Sequence, residues 1–232
     1  MIIETEPTCI TMPGLILSAY ANICWLTTTL ECWTGQDINR RKILAKAAYN
    51  QLKKILESRK ISKEVKIRLF RSHIESIFLY NSELWTITKQ LENEIDVYQR
   101  NMLRKIMEIR WQDRVTNGQL YERTKVPQWS KTVKRRRINW YGHLLRLPEE
   151  TPAKAALREA RKYAQKPRGG QKITWLKIID KELENIKIKV AVVNGDGINH
   201  RYELCNHEIL AKNRHIWQVV VNRAMSQEDG RA

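Results

Sequence analysis

The chain has 232 residues, with 42 Lys and Arg against 25 Asp and Glu, a net charge of +17 and a sequence pI near 9.9; phosphate is the partner it suits first and a membrane surface second. Nine Gly and six Pro are few, and apolar residues recur at helical spacing, so the fold class is mostly α, with one sizeable core or two small ones. Four cysteines (Cys9, Cys24, Cys32, Cys205) follow no recurring interval, which argues against a disulfide framework or a zinc ribbon and fits a reducing, intracellular setting, nucleus or cytoplasm.

Residues 1–35 form a lead-in expected to be weakly ordered. Its middle, GLILSAYANICWLTTTL, is uncharged, but Glu4 and Glu6 stand where a signal peptide carries Lys or Arg, and polar residues dilute the run. Asp37 then predicts the cap of a helix to about Arg59, with Leu44, Ala48, Leu52 and Ile55 or Leu56 inward. Ser62 predicts a second helix to about Tyr80, with Val65, Leu69, Phe70, Ile74, Ile77 and Phe78 inward. Residues 37–80 hold twelve basic side chains against four acidic ones. A break at Asn81-Ser82 precedes a third helix, about Thr88 to Ile109, on the stripe Leu91, Ile95, Tyr98, Met102, Ile106 and Ile109. Its first half is acidic, through Glu92, Glu94 and Asp96, which suits a helix N-terminus. Trp111-Gln112-Asp113 reads as a turn, and Thr116-x-x-Gln119 as a capping box for a short helix ended by Pro127.

The stretch Gln128–Pro148, QWSKTVKRRRINWYGHLLRLP, organises the reading. It carries six Lys and Arg and no carboxylate, with Trp129, Trp140 and Tyr141 among them. With Ser130 as cap it predicts a helix whose inner stripe is Val133, Trp140, Tyr141 and Leu144. Lys131, Lys134, Arg135, Arg136 and Arg146 fall mostly off that stripe, so one face is suited to burial and the other to anions. An ordinary solvated helix face is the plainer alternative. Thr151-Pro152 opens a helix to about Ala164, completing a bundle over 36–164. Residues 165–192 read as a basic Gly-containing linker (QKPRGGQK, with Arg168) and a helix from Thr174-Trp175 to about Ile186. VNGDGINH (193–200) marks a domain break before a helical tail, 193–232, with a last helix from about Glu208 to Met225. Trp85, Trp111, Trp175, Trp217 and Trp140 are assigned to the core, where large rings close gaps between helices.

Seven strings, taken together, resemble one family: DINRRKILAKAAYNQL (37–52), SIFLYNSELW (76–85), YQRNMLRKIMEIRW (98–111), TNGQLYERTK (116–125), KRRRINWYGHLLRL (134–147), TPAKAAL (151–157) and PRGGQKITW (167–175). The chain resembles the C-terminal portion, thumb and beyond, of reverse transcriptases of non-LTR (LINE-type) retrotransposons, over about residues 36–186. The resemblance implies a helical bundle that follows the polymerase palm and grips primer–template duplex or element RNA. Two departures stand out. No two aspartates are adjacent in the chain, whereas two-metal phosphoryl chemistry needs closely set carboxylates, and the family's endonuclease has no counterpart.

The expectation is therefore a nucleic-acid-binding fragment of an RNA-directed DNA polymerase that copies no RNA alone and uses no catalytic residue, metal, cofactor or small-molecule substrate. Lys131, Lys134, Arg135, Arg136 and Arg146 would meet RNA or DNA phosphates, with Arg40, Arg41, Lys42, Lys46 and Arg168 as a second basic surface. His200, Cys205, His207 and His215 match no zinc spacing. His143 would contact a base or phosphate, or be bonded within the bundle. The alternatives are a helical scaffold for an acidic protein, a module reading the major groove, for which Asn139 is the one obvious amide on the basic helix, or a pseudogene product without a selected role.

Overall fold

The computed structural model describes residues 31–163, 174–184, 186, 188–193, 199–204 and 207–226. Most of residues 1–35, Arg168 with its linker, Cys205 and the centre of VNGDGINH lie outside these. Helix α1 spans Glu31–Leu56. Asp37 is not its cap but an interior residue that pairs with Arg41 at 3.5 Å and accepts the Trp85 indole N–H at 2.8 Å. The buried stripe is Ile38, Ala45, Ala48, Tyr49 and Leu56, while Leu44 and Ile55 are exposed. The expected inner face was rotated about one residue because Tyr49 belongs to the core, where its hydroxyl reaches Glu57.

Ser62 caps α2 (Lys63–Leu69), its hydroxyl accepting from the Val65 amide as expected. The helix continues through a π-helical segment, Phe70–Glu75, into the short α3 (Ser76–Phe78). Phe70, Ile74 and Phe78 are fully buried; Val65, expected inward, is exposed, and the adjacent Lys66 is buried instead, held by Glu108 at 3.1 Å. Asn81 breaks the helix in a left-handed conformation. Thr88 caps α4 (Lys89–Ile106), and the reciprocal Thr116/Gln119 box caps α5 (Asn117–Thr124).

Helix α6 (Trp129–Arg146) belongs to two cores. Its first turns place Trp129 and Val133 among Ile38, Phe70, Phe78 and Ile95. Trp129 stacks on Phe78 at 4.2 Å and on Phe70 at 5.8 Å between ring centroids. Its later turns place Ile138, Tyr141, Leu144 and Leu145 in a second core with α7 (Pro152–Tyr163), α8 (Trp175–Leu183), α9 (His207–Lys212) and α10 (Arg214–Ser226). That core draws residues from both sides of the boundary expected at 164, joining Leu157 to Trp175, Leu210 and Trp217. The Trp175 indole donates to the Glu83 carbonyl at 2.8 Å and ties the second core to the first.

Between α8 and α9 lies a feature absent from the sequence reading. Strands β1 (Ile188–Val193) and β2 (Asn199–Leu204) pair antiparallel, from Ile188 opposite Leu204 to Val193 opposite Asn199. The residues 188–193, IKVAVV, are rich in β-branched side chains, and Asn-Gly and Asp-Gly follow, a hairpin signal outweighed there by the helical character of the rest. The fold is mostly α with one hairpin.

Trp217 crosses α6 at Gly142, donating its indole N–H to the Ile138 carbonyl at 3.2 Å. A Cβ on Gly142 would lie 2.1 Å from the Trp217 Nε1, so only glycine admits this approach. Gly142→Ala is expected to lower stability by about 1–3 kcal/mol through the forced displacement of the indole. Gly118→Ala, whose added methyl meets open space on α5, is expected to raise stability by about 0.4–1 kcal/mol through the unfolded chain. Urea midpoints of the two variants, moving in opposite directions, check the contrast.

Candidate nucleic-acid interface

Ser130 is the second residue of α6 rather than its cap. A carboxylate from another helix takes the capping role: Asp96 of α4 accepts the Ser130 amide at 3.0 Å and the Ser130 hydroxyl at 2.7 Å. The fully buried Gln99 accepts the Trp129 amide at 3.0 Å and donates to the Pro127 carbonyl at 2.8 Å. The positive end of the α6 dipole is thus already answered by a carboxylate. The acidic half of α4 is spent inside the chain, since Glu94 also holds Lys42 at 3.1 Å.

The basic run divides by position. Arg137 is the buried one, 1% exposed, and meets Glu182 of α8 at 3.2 Å; a group so placed needs its partner, because an uncompensated buried charge is strongly unfavourable. Arg136, expected to face phosphate, is half-buried and donates to the Leu79 carbonyl that ends the second helix. Arg146, likewise assigned to phosphate, is half-buried and donates to the Ala211 carbonyl at 3.1 Å. Burial and the neighbouring Arg214 push its pKa down. Lys131 and Lys134 are half-buried and each carries an interaction within the chain. The exposed residues of α6 are Arg135, Asn139 and His143, at i, i+4 and i+8, which sets them in one line along the helix. His143 lies against Trp140 at 5.2 Å between rings, and Trp140 packs on the edge of the second core rather than inside it.

The second surface is likewise sorted by its neighbours. Arg40 and Lys46 are exposed. Arg41 is half-buried, bound to Asp37 and lying over the Tyr80 ring at 4.8 Å, and Lys42 is held by Glu94. Lys46 lines a groove with Lys53 and Lys105, beside Asn50 and Asn101. Another groove, against the π segment, brings Arg136 together with Arg68 and Arg71. Arg68, Arg71, Lys53 and Lys105 line these grooves without having been expected there; the spacing of Arg68 and Arg71 puts them on one helix face and was the available signal. Among the described residues no three His, Cys, Asp or Glu are grouped to hold a metal ion, and no helix is long and apolar enough to cross a membrane.

In the groove with Arg136, Glu75 is mostly buried. Burial raises its pKa, and the neighbouring Arg71 and Arg136 only partly offset that.

No family model matches this chain, and no solved structure does. A protein of Caenorhabditis elegans described as uncharacterized and transposon-derived is 27% identical over 114 residues, 47% of this chain and 40% of that protein. The likeness supports a transposon-related origin. The chain spans less than half of that relative's length.

Two outcomes follow from the sorted charges. Arg135→Gln, on an exposed site, is expected to shift stability by no more than about 0.5 kcal/mol, whereas Arg136→Gln should cost about 1–2 kcal/mol by removing a charged donor from a carbonyl; equal urea midpoints for the two would contradict this. For Glu75 the folded pKa lies above the unfolded one. Its contribution is therefore fully present below the unfolded pKa and is lost as pH rises through the folded pKa. Glu75→Gln should abolish that loss, so the stability difference between variant and wild type should shift in the variant's favour from the acid side to neutral pH.

Proposed function

We propose that this chain binds nucleic acid without base selection, as the thumb-and-beyond part of a retrotransposon reverse transcriptase holding template–primer duplex or element RNA. One observation carries the reading: several carboxylates of the frame are paired within the chain while a larger number of cations stays exposed. Asp96 caps α6, Glu182 meets Arg137, Glu108 holds Lys66 and Arg59, and Glu94 holds Lys42. Arg40, Lys46, Arg68, Arg71 and Arg135 are left exposed on a chain of net charge +17. An excess of exposed cations projecting from packed helices attracts a phosphate backbone irrespective of its sequence. The transposon-derived relative is compatible with a mobile-element origin, and the finer assignment rests on the seven family-like strings. In this role the chain positions nucleic acid and performs no chemistry of its own, and its setting is the nucleus or cytoplasm.

A second reading has its own support. Arg135, Asn139 and His143 form an exposed line, and Arg and Asn are residue types that address base edges in the major groove. Fluorescence anisotropy with two 20-bp duplexes of unrelated sequence, between 50 and 200 mM salt, separates the two. Backbone binding predicts similar affinities, a linear log–log salt dependence with a slope of several units, and a slope smaller by about 1 for Arg135→Gln. A preference above about 4 kcal/mol for one duplex would establish base reading instead, and a flat salt response would remove nucleic acid as the partner.

A further inference from the structure

Trp111, assigned to the core from the sequence, is 87% exposed, more than any other large apolar side chain among the described residues. Met107, Ile109 and Val115 around it are half-buried, so the ring stands alone rather than as part of an apolar patch. The backbone that presents it is fixed at both ends. On one side the Ile109 amide bonds the Arg104 carbonyl at 2.9 Å, after Glu108 at φ 58°. Across the tip, the Arg110 amide donates to the Asp113 carboxylate at 2.7 Å, and the Arg114 amide to the Trp111 carbonyl at 3.3 Å. Arg114 closes the turn at φ 47°, and the Arg104 guanidinium bonds the Val115 carbonyl at 2.9 Å beneath it. Two non-glycine residues in the left-handed region bracket the tip, a conformation that persists only where the surroundings impose it.

The charge at this turn is also one-sided. Asp113 is occupied with the backbone and Glu108 with Lys66 and Arg59. Arg110 and Arg114 are exposed, and neither is ion-paired among the described residues. A single indole flanked by two guanidinium groups matches a base and its adjoining phosphates, since every base offers a π face and stacking on an aromatic ring tolerates any sequence. A protein groove or a second copy of the chain would call for an apolar surround. Bases inside a duplex are already stacked, so the ligand is a single strand. We propose that the turn 108–114 is a stacking platform for an unpaired nucleobase of RNA or DNA, with Trp111 as the ring and Arg110 and Arg114 as phosphate contacts. This rests on the nucleic-acid reading above and adds a second, strand-selective contact to it.

The test uses the full chain with a fluorescein-labelled 12-nucleotide single strand of mixed sequence and a 40-bp duplex, whose ends are a minor part of it, both at 100 mM salt. Trp111→Ala is expected to weaken single-strand binding about 5- to 150-fold, to change duplex binding less than twofold, and to leave the urea midpoint in place because the ring is exposed. Trp111→Phe should keep most of the single-strand affinity. If Trp111→Ala weakens both ligands alike, or neither, the platform is overturned while a salt-dependent duplex affinity leaves the broader reading standing. A wild-type chain that binds neither ligand overturns both. Loss of a wild-type dimer in Trp111→Ala by sedimentation, with single-strand binding intact, would assign the ring to a contact between copies and sink the proposal.

Discussion

Helix α6 has to serve two cores at once, and the rest of the fold is arranged around that demand. Its first turns are fixed by Trp129 stacked on Phe78 and Phe70, and its later turns by Tyr141, Leu144 and Leu145. Arg137 sits between them, paired with Glu182. A hydrophobic residue there would pack as well; the ion pair adds a geometric requirement that α8 approach α6 in one register. The Trp175 bond to the Glu83 carbonyl fixes the same helix from the other side. Rigidity of the basic face therefore comes from two cores rather than from the helix itself.

A charge of +17 does not mean that every cation is available. Arg136, Arg146 and Lys154 donate to backbone carbonyls, Lys154 reaching Leu145 at 2.9 Å near the end of α6, while the buried Arg137 and Lys66 are held by the carboxylates of Glu182 and Glu108. Long basic side chains bury their stems along apolar surface and use their heads as donors to carbonyls at helix ends. In this protein that use accounts for part of the basic composition, and the exposed remainder is spread over several helices, with Arg135 the one exposed cation of α6.

The caps at Ser62 and Thr116 were legible in the sequence because their chemistry is local, each accepting a backbone amide three residues into its helix, as were the helix starts at Thr88 and Thr174. Asp37 and Ser130, expected as caps, instead lie inside their helices. Features that depend on a partner far along the chain were not legible. Helical spacing put Arg135 and Arg136 on the charged face alike, and only the position of the Leu79 carbonyl distinguishes Arg136 from Arg135. Asp96 read as helix-terminal acid for its own helix, yet it caps α6 thirty-four residues later. Trp111 read as core because large rings usually are; the two left-handed residues that hold it outward carry no glycine to announce them.

The approach of Trp217 to Gly142 sets an order in time. Everything the first core needs is present once Val133 has been made. The second core closes only when residues 207–226 arrive, with Trp217 reaching back 79 positions to the Ile138 carbonyl. Domains generally form as they leave the ribosome, N-terminal parts first. During that interval Ile138, Tyr141 and Leu144 project apolar surface from a helix whose other half is already anchored. The nascent chain thus carries a hydrophobic strip that only α7 and α8 can cover until the last two helices are made, and the remainder of that strip would reopen whenever those two helices lift away.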